Sequence, residues 1–188
     1  EYDLEARELE LHHEVTGQVS QVNAPLVMGT DGSSSAIRNS VMEQSGAHQT
    51  QHALNYGYKE LSIPSGPDES FLLDRNVLHI WPRGTYMLIA LPNLDGSFTC
   101  TLFLPYHGKL SFDSLKTPES VHSFFKEQFH DAYSLMPELT NEFFGNPTGT
   151  MVTVKCSPWS YGDQALLLGD AAHAIVPFFG QGMNCGFE

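Results

Sequence analysis

The chain has 188 residues, with 9 Lys and Arg against 22 Asp and Glu, and a formal net charge of −13 at pH 7. That balance excludes most nucleic-acid and anionic-membrane roles, because a protein that neutralises phosphates needs a basic face. With 41% hydrophobic and 16% charged residues the chain reads as globular, and no run approaches the roughly 18 apolar residues of a membrane span.

The opening EYDLEARELELHHE resembles no secretory signal or transit peptide, and the chain does not begin with Met. Cys100, Cys156 and Cys185 lie far apart in apolar contexts, which predicts buried thiols in a reducing, cytoplasmic compartment. His12 and His13 have no HExxH context, so no metal site is expected.

In chain order, LVMGT (26–30) is a short apolar run ending at Asp31-Gly32, as a buried strand delivering a turn would be. The following SSSAIRNSVME carries Ala36, Ile37 and Val41, and predicts a short helix capped by serines. LNYGYKELSI (54–63) reads as a strand, and SGPDES after it as a loop. VLHIW (77–81), YMLIAL (86–91) and FTCTLFL (98–104) predict an antiparallel meander, with Asp95-Gly96 as a hairpin signal.

The length of that hairpin loop sets which side chains share a face. A five-residue loop, Asn93 to Ser97, puts Met87, Ile89 and Leu91 on one face with Thr99, Thr101 and Phe103, and a four-residue loop does not. The residues leave both registers open.

Thr117-Pro118 opens a helix whose Val121, Phe124, Phe125 and Phe129 recur at helical spacing, a stripe that faces a core. A Pro/Gly loop near GNPTGT precedes the strand MVTVK (151–155). ALLLGD (165–170) reads as a buried parallel strand, and GQGMNCGFE as the start of a helix. The organisation is α/β (α+β), with two interleaved domains: residues 1–45 and 154–188 form one, and residues 46–153 form an antiparallel sheet with a helix.

The chemistry-bearing stretch is GDAAHAIVPFFGQGMN (169–184). Asp170 at the carboxyl edge of a sheet is a hydrogen-bond acceptor for a sugar or ribityl hydroxyl, where ligands of open α/β sheets bind. Gly180 and Gly182 let backbone approach a ligand, and a helix starting near Met183 favours an anionic oxygen. Pro177, Phe178 and Phe179 make a stiff apolar wall. The bland alternative is a strand, an apolar loop and a helix with Asp170 as a cap. GSSSA (32–36) also matches a relaxed nucleophile elbow, but no His-acid pair accompanies it, so no hydrolase and no catalytic side chain is expected. Arg38 reads equally as a surface residue of its helix.

Gly169, Asp170, Ala171, Ala172, His173, Pro177, Gly180, Gln181, Gly182 and Asn184 resemble the Gly-Asp motif of the single-component flavin-dependent aromatic hydroxylases. Asp31-Gly32-Ser33-Ser34-Ser35-Ala36-Ile37-Arg38 resembles the DGxxSxxR motif of the same family. The resemblance implies an FAD-binding aromatic-hydroxylase fold using FAD, NADPH and dioxygen. Its implied cofactor residues are Asp31, Gly32, Ala36, Arg38, Gly169, Asp170, Pro177, Gly180, Gly182, Met183 and Asn184. Asp170 would bind the ribityl chain, and the Met183-Asn184 backbone would meet the flavin pyrimidine edge.

The strings VLHIWPRGTYMLIALPN, SFTCTLFLP, TVKCSPW and HAIVPFFGQGMNCGFE resemble the branch that hydroxylates L-kynurenine at ring position 3. That resemblance implies a substrate pocket of Leu78, Met87, Ile89, Leu91, Thr101 and Phe103, closed by Pro177 and Phe178, and it favours the five-residue loop. On residues alone these side chains read as ordinary sheet core. The family's GxGxxG unit does not occur in this sequence, so the resemblance implies an internal segment of such an enzyme. The alternatives are a hydroxylase of another aromatic substrate, or a non-catalytic remnant.

Overall fold

The computed structural model describes residues 1–187, and of Phe179 the backbone alone. Three short antiparallel strands open the chain in the order β1 (Tyr2–Asp3), β2 (Glu8–His12), β3 (Val19–Asn23). The sequence reading passed over them, although Glu8-Leu9-Glu10-Leu11 in β2 alternates as a strand does. Tyr2 anchors β1: it is wholly buried, its N–H donates to Ser40 Oγ at 3.0 Å and its hydroxyl to the Ala24 carbonyl at 2.9 Å.

β4 (Val27–Gly29) then leads into Asp31-Gly32. Gly29 is needed for packing, since a Cβ there would stand 2.9 Å from Leu167 Cδ2 and 3.1 Å from Ile37 Cβ. The serine-capped helix is α1 (Ala36–Ser45), where Ser35 Oγ accepts from the Arg38 N–H at 2.9 Å. Gly46, at φ 67°, ends it in the left-handed conformation that glycine adopts without strain.

β5 (His48–Ile63) begins at His48 rather than Leu54. β6 (His79–Arg83), β7 (Tyr86–Pro92) and β8 (Phe98–Pro105) form the expected meander, and β9 (Thr148–Ser157) completes a sheet of order β6-β7-β8-β5-β9. The polar half of β5 is extended without any apolar alternation, so periodicity gave no sign of it.

Pro92 pairs with Phe98, and the Asn93 N–H donates to the Ser97 carbonyl at 2.8 Å, so the loop is the five-residue one. The Asp95 carboxylate accepts from the Ser97 hydroxyl at 2.6 Å and its N–H at 3.0 Å, fixing the turn. One sheet face, with Leu61, Leu88, Ala90, Cys100, Leu102 and Leu104, packs in a core with α2 (Pro118–Gln128), α3 (His130–Tyr133) and α4 (Leu139–Gly145). Val121, Phe124, Phe125 and Phe129 are the buried stripe of that helical layer, as their spacing predicts. Burial pushes the Cys100 thiol up to about 12, which makes it a packing residue without nucleophilic character.

The chain returns through β10 (Ser160–Tyr161) and β11 (Ala165–Leu167), in a sheet of order β10-β11-β4 with β11 parallel to β4. The strand expected to run to Asp170 is shorter than its sequence suggests. β11 stops at Leu167, Gly169 turns the backbone at φ 57°, and Asp170 opens α5 (Asp170–His173). Leu168 is exposed, so burial on both faces holds only for the core of that strand. A 3-10 turn (Pro177–Phe179) and α6 (Gly182–Phe187) follow.

The chain divides into two compact units: residues 1–53 with 152–188, and residues 54–151. It passes between them within β5 and within β9. Among the described residues, no helix is long and apolar enough to cross a membrane, and no cluster of His, Cys, Asp and Glu could hold a metal ion.

Candidate functional site

In the first unit, β4 and β11 run side by side and deliver the Asp-Gly and Gly-Asp segments from adjacent strand ends. The link is direct, as the Leu168 N–H donates to the Gly29 carbonyl at 3.0 Å. Asp31 turns back onto α1, where its carboxylate accepts from Ser35 Oγ at 2.5 Å and from the Ala36 and Ile37 N–H groups at 2.8 and 3.3 Å. Burial pushes this carboxyl up, but the bonds from Ser35, Ile37 and Ala36 outweigh it and hold the group below its ordinary value. In this geometry Asp31 is a helix cap, a role the sequence reading did not give it.

Arg38 is not a surface residue. It is wholly buried, with Nε on Gln49 Oε1 at 2.8 Å, Nη1 on the Ala171 carbonyl at 3.0 Å and Nη2 on the Ser33 carbonyl at 2.7 Å. The guanidinium thereby joins the Asp-Gly loop to α5. Ala36 is exposed on the first turn of α1, and Gly32, at φ 79°, has open space where a Cβ would stand.

Asp170 is exposed at the start of α5. α6 lies against that turn, with a Cβ on Gly186 standing 3.5 Å from Gly169 Cα. Around this point Gly169, Gly180 and Gly182 have nothing within 4 Å of their Cβ positions, so their backbones are open to approach. Met183 and Asn184 are exposed on α6, and Asn184 Nδ2 donates to Gln181 Oε1 at 2.9 Å. Pro177 and Phe178 sit in the 3-10 turn between α5 and α6. The Phe179 side chain, part of the expected apolar wall, lies outside what is described. An exposed carboxylate that accepts hydrogen bonds, beside approachable backbone, suits the hydroxyls of a polyol chain.

In the second unit, the register puts Met87 opposite Phe103, Ile89 opposite Thr101 and Leu91 opposite Thr99. Leu78 lies just ahead of β6. Ile80, opposite Ile89, and Tyr58, opposite Phe103, fall on the same face. Those two residues the sequence reading missed, although counting by twos from Leu78 would have reached Ile80. This face turns away from the helical layer. Leu78, Ile80 and Leu91 are about half exposed, at 47%, 52% and 46%, while Ile89 and Phe103 are buried between them. Half-exposed aliphatic side chains on one sheet face form a surface suited to an apolar ring.

The profile of the FAD binding domain matches residues 2–188. The chain belongs to the FAD-binding domain family. It is 58% identical over 180 residues to kynurenine 3-monooxygenase of Myxococcus xanthus, covering 96% of this chain and 39% of that protein. It is 56% identical over 167 residues to kynurenine 3-monooxygenase of Dictyostelium discoideum, covering 89% and 36%. The chain thus spans about two fifths of the length of these relatives. Among solved structures, the tetrameric form of 2-methyl-3-hydroxypyridine-5-carboxylic acid oxygenase superposes with a TM-score of 0.66 at 23% identity, covering 92% of this chain and 44% of that one. Klebsiella pneumoniae HpxO complexed with FAD and uric acid superposes with a TM-score of 0.65 at 17% identity, covering 99% and 44%. At those identities the likeness is one of fold, and the fold is that of the FAD-binding aromatic hydroxylases.

Proposed function

We propose that these residues form the central part of an FAD- and NADPH-dependent monooxygenase that converts L-kynurenine to 3-hydroxykynurenine with dioxygen. The observation that carries the reading is the 58% identity to a kynurenine 3-monooxygenase across 96% of the chain. Residues 1–45 and 154–188 act as parts of the FAD domain, and residues 46–153 as the substrate domain.

Bound FAD, reduced by NADPH, supplies the activated oxygen for ring hydroxylation. The chain's own residues bind and orient. Asp170 accepts hydrogen bonds from the ribityl hydroxyls, and the open backbone at Gly169, Gly180 and Gly182 permits close approach of the cofactor. Asp31 and Arg38 act one step removed, by fixing α1 and α5. Leu78, Ile80, Met87, Ile89, Leu91, Thr101 and Phe103 offer an apolar face to the aromatic ring. Exclusion of water at such a surface limits wasteful loss of activated oxygen. No proton donor or nucleophile is required of the chain.

The test is a chimera in which these residues replace the matching segment of the Myxococcus xanthus enzyme. NADPH oxidation that depends on kynurenine and yields 3-hydroxykynurenine is the expected result. A folded chimera that retains FAD but hydroxylates a different aromatic compound, or none, overturns the substrate assignment; one that binds no FAD overturns the whole reading.

A further inference from the structure

The motif TVKCSPW has a place in the structure that the cofactor and substrate residues leave unexplained. α5 is a single turn, too short to hold its own geometry, and its C-terminal carbonyls have no partners inside it. Three donors from elsewhere in the first unit take those carbonyls. Arg38 Nη1 reaches Ala171 O at 3.0 Å, Cys156 Sγ reaches Ala172 O at 3.1 Å, and the Val154 N–H reaches Ala174 O at 2.9 Å.

Trp159 completes the support. Its indole N–H donates to the Cys156 carbonyl at 2.9 Å, and its ring lies 4.7 Å from the His173 ring at the end of α5. Its carbonyl accepts from the Leu167 N–H at 2.7 Å, in the strand that leads to Gly169. Residues 156–159 therefore grip both the strand before Asp170 and the helix that Asp170 begins.

We propose that Cys156 and Trp159 are positioning residues that set the attitude of α5 and hence of the Asp170 carboxylate toward FAD, an inference that rests on the FAD reading above. The thiol acts as a hydrogen-bond donor. Burial holds it above its ordinary value despite the opposing pull of Arg38, so it keeps its proton near neutrality.

The test uses the same chimera, with the FAD dissociation constant, the visible circular dichroism of the bound flavin and the thermal midpoint read together. Cys156→Ala removes the donor, and FAD binding is expected to weaken about fivefold, the usual effect of one hydrogen bond. Cys156→Ser restores a donor and is expected to bind FAD within about twofold of the parent. Trp159→Phe keeps a ring but loses the N–H, and should resemble Cys156→Ala. Equal binding by Cys156→Ala and the parent, or equal weakness of the Ser and Ala variants, overturns the proposal. Should Cys156→Ala not fold, alkylation of Cys156 in the parent decides: saturating FAD is expected to slow it, and an unchanged rate overturns the proposal. A parent chimera that binds no FAD defeats the FAD reading itself, whereas a parent that binds it with indifferent variants defeats only the positioning role.

Discussion

Arg38 donates through Nη1 to the carbonyl of Ala171 at 3.0 Å, across 133 residues of sequence. The same guanidinium holds Ser33 O and Gln49 Oε1, so one buried side chain ties the Asp-Gly loop, β5 and α5 together. Its hydrogen-bond acceptors are all neutral oxygens, which makes the fork geometry of arginine the reason for its presence.

Replacing Arg38 by Met strands those acceptors in a buried site. The expected loss of unfolding free energy is about 3 kcal/mol, read from the urea midpoint, and Arg38→Lys should recover part of it by reaching one acceptor. A loss below about 1 kcal/mol for Arg38→Met would show that water replaces the guanidinium freely.

Asp31 links helix capping to pH. Its folded-state value lies below the ordinary 3.8, so the unfolded chain binds more protons in that range. The stabilisation is therefore fully present above pH 3.8 and fades as pH falls through the folded value. Asp31→Asn should lower stability by about 1 kcal/mol at pH 7 and flatten the acid limb of the stability profile. An acid limb with unchanged slope in the variant would contradict this account.

Lys59 is buried on the helix side of β5, with Nζ donating to the Asn146 carbonyl at 2.7 Å and standing 5.3 Å from the Phe143 ring centre. Burial lowers its value below the ordinary 10.5. The folded state thus gives up this proton before the unfolded chain does, and wild-type stability gains as pH rises from the folded value toward 10.5. Lys59→Met keeps the aliphatic packing, and is expected to be more stable by about 1 kcal/mol at pH 7, with the gap narrowing as pH approaches 10. Guanidinium titrations at pH 7 and pH 10 check this, and a gap that widens with pH contradicts it.

Ile80 separates recognition from stability. At 52% exposure it contributes little to the core, so Ile80→Ala should shift unfolding by less than about 1 kcal/mol. On the proposed function the same change in the chimera should raise KM for kynurenine about fivefold, from lost apolar contact with the ring. An unaltered KM would remove Ile80 from the substrate surface.

The sequence by itself determined the elements whose signal is local. Thr117-Pro118 and the Val121, Phe124, Phe125, Phe129 spacing specified α2 because capping and a 3.6-residue period are written within a few turns. The β-rich runs specified the meander, and the two Gly/Asp motifs specified the family. What depended on partners far along the chain was not legible. The place of β1 rests on Tyr2 meeting Ser40 and Ala24, and no periodicity encodes such a contact. The residues alone leave the hairpin register open, because loop chemistry at Asp95-Gly96 serves more than one length, and the pairing of Pro92 with Phe98 fixes it as the five-residue loop that the resemblance favours. Asp31 and Arg38 could be found from their motif, but whether they face a ligand or the protein is settled by which unpaired N–H and C=O groups the fold brings within reach. Only the tertiary structure decided that, since a buried polar side chain goes where the backbone leaves a hydrogen bond unmade.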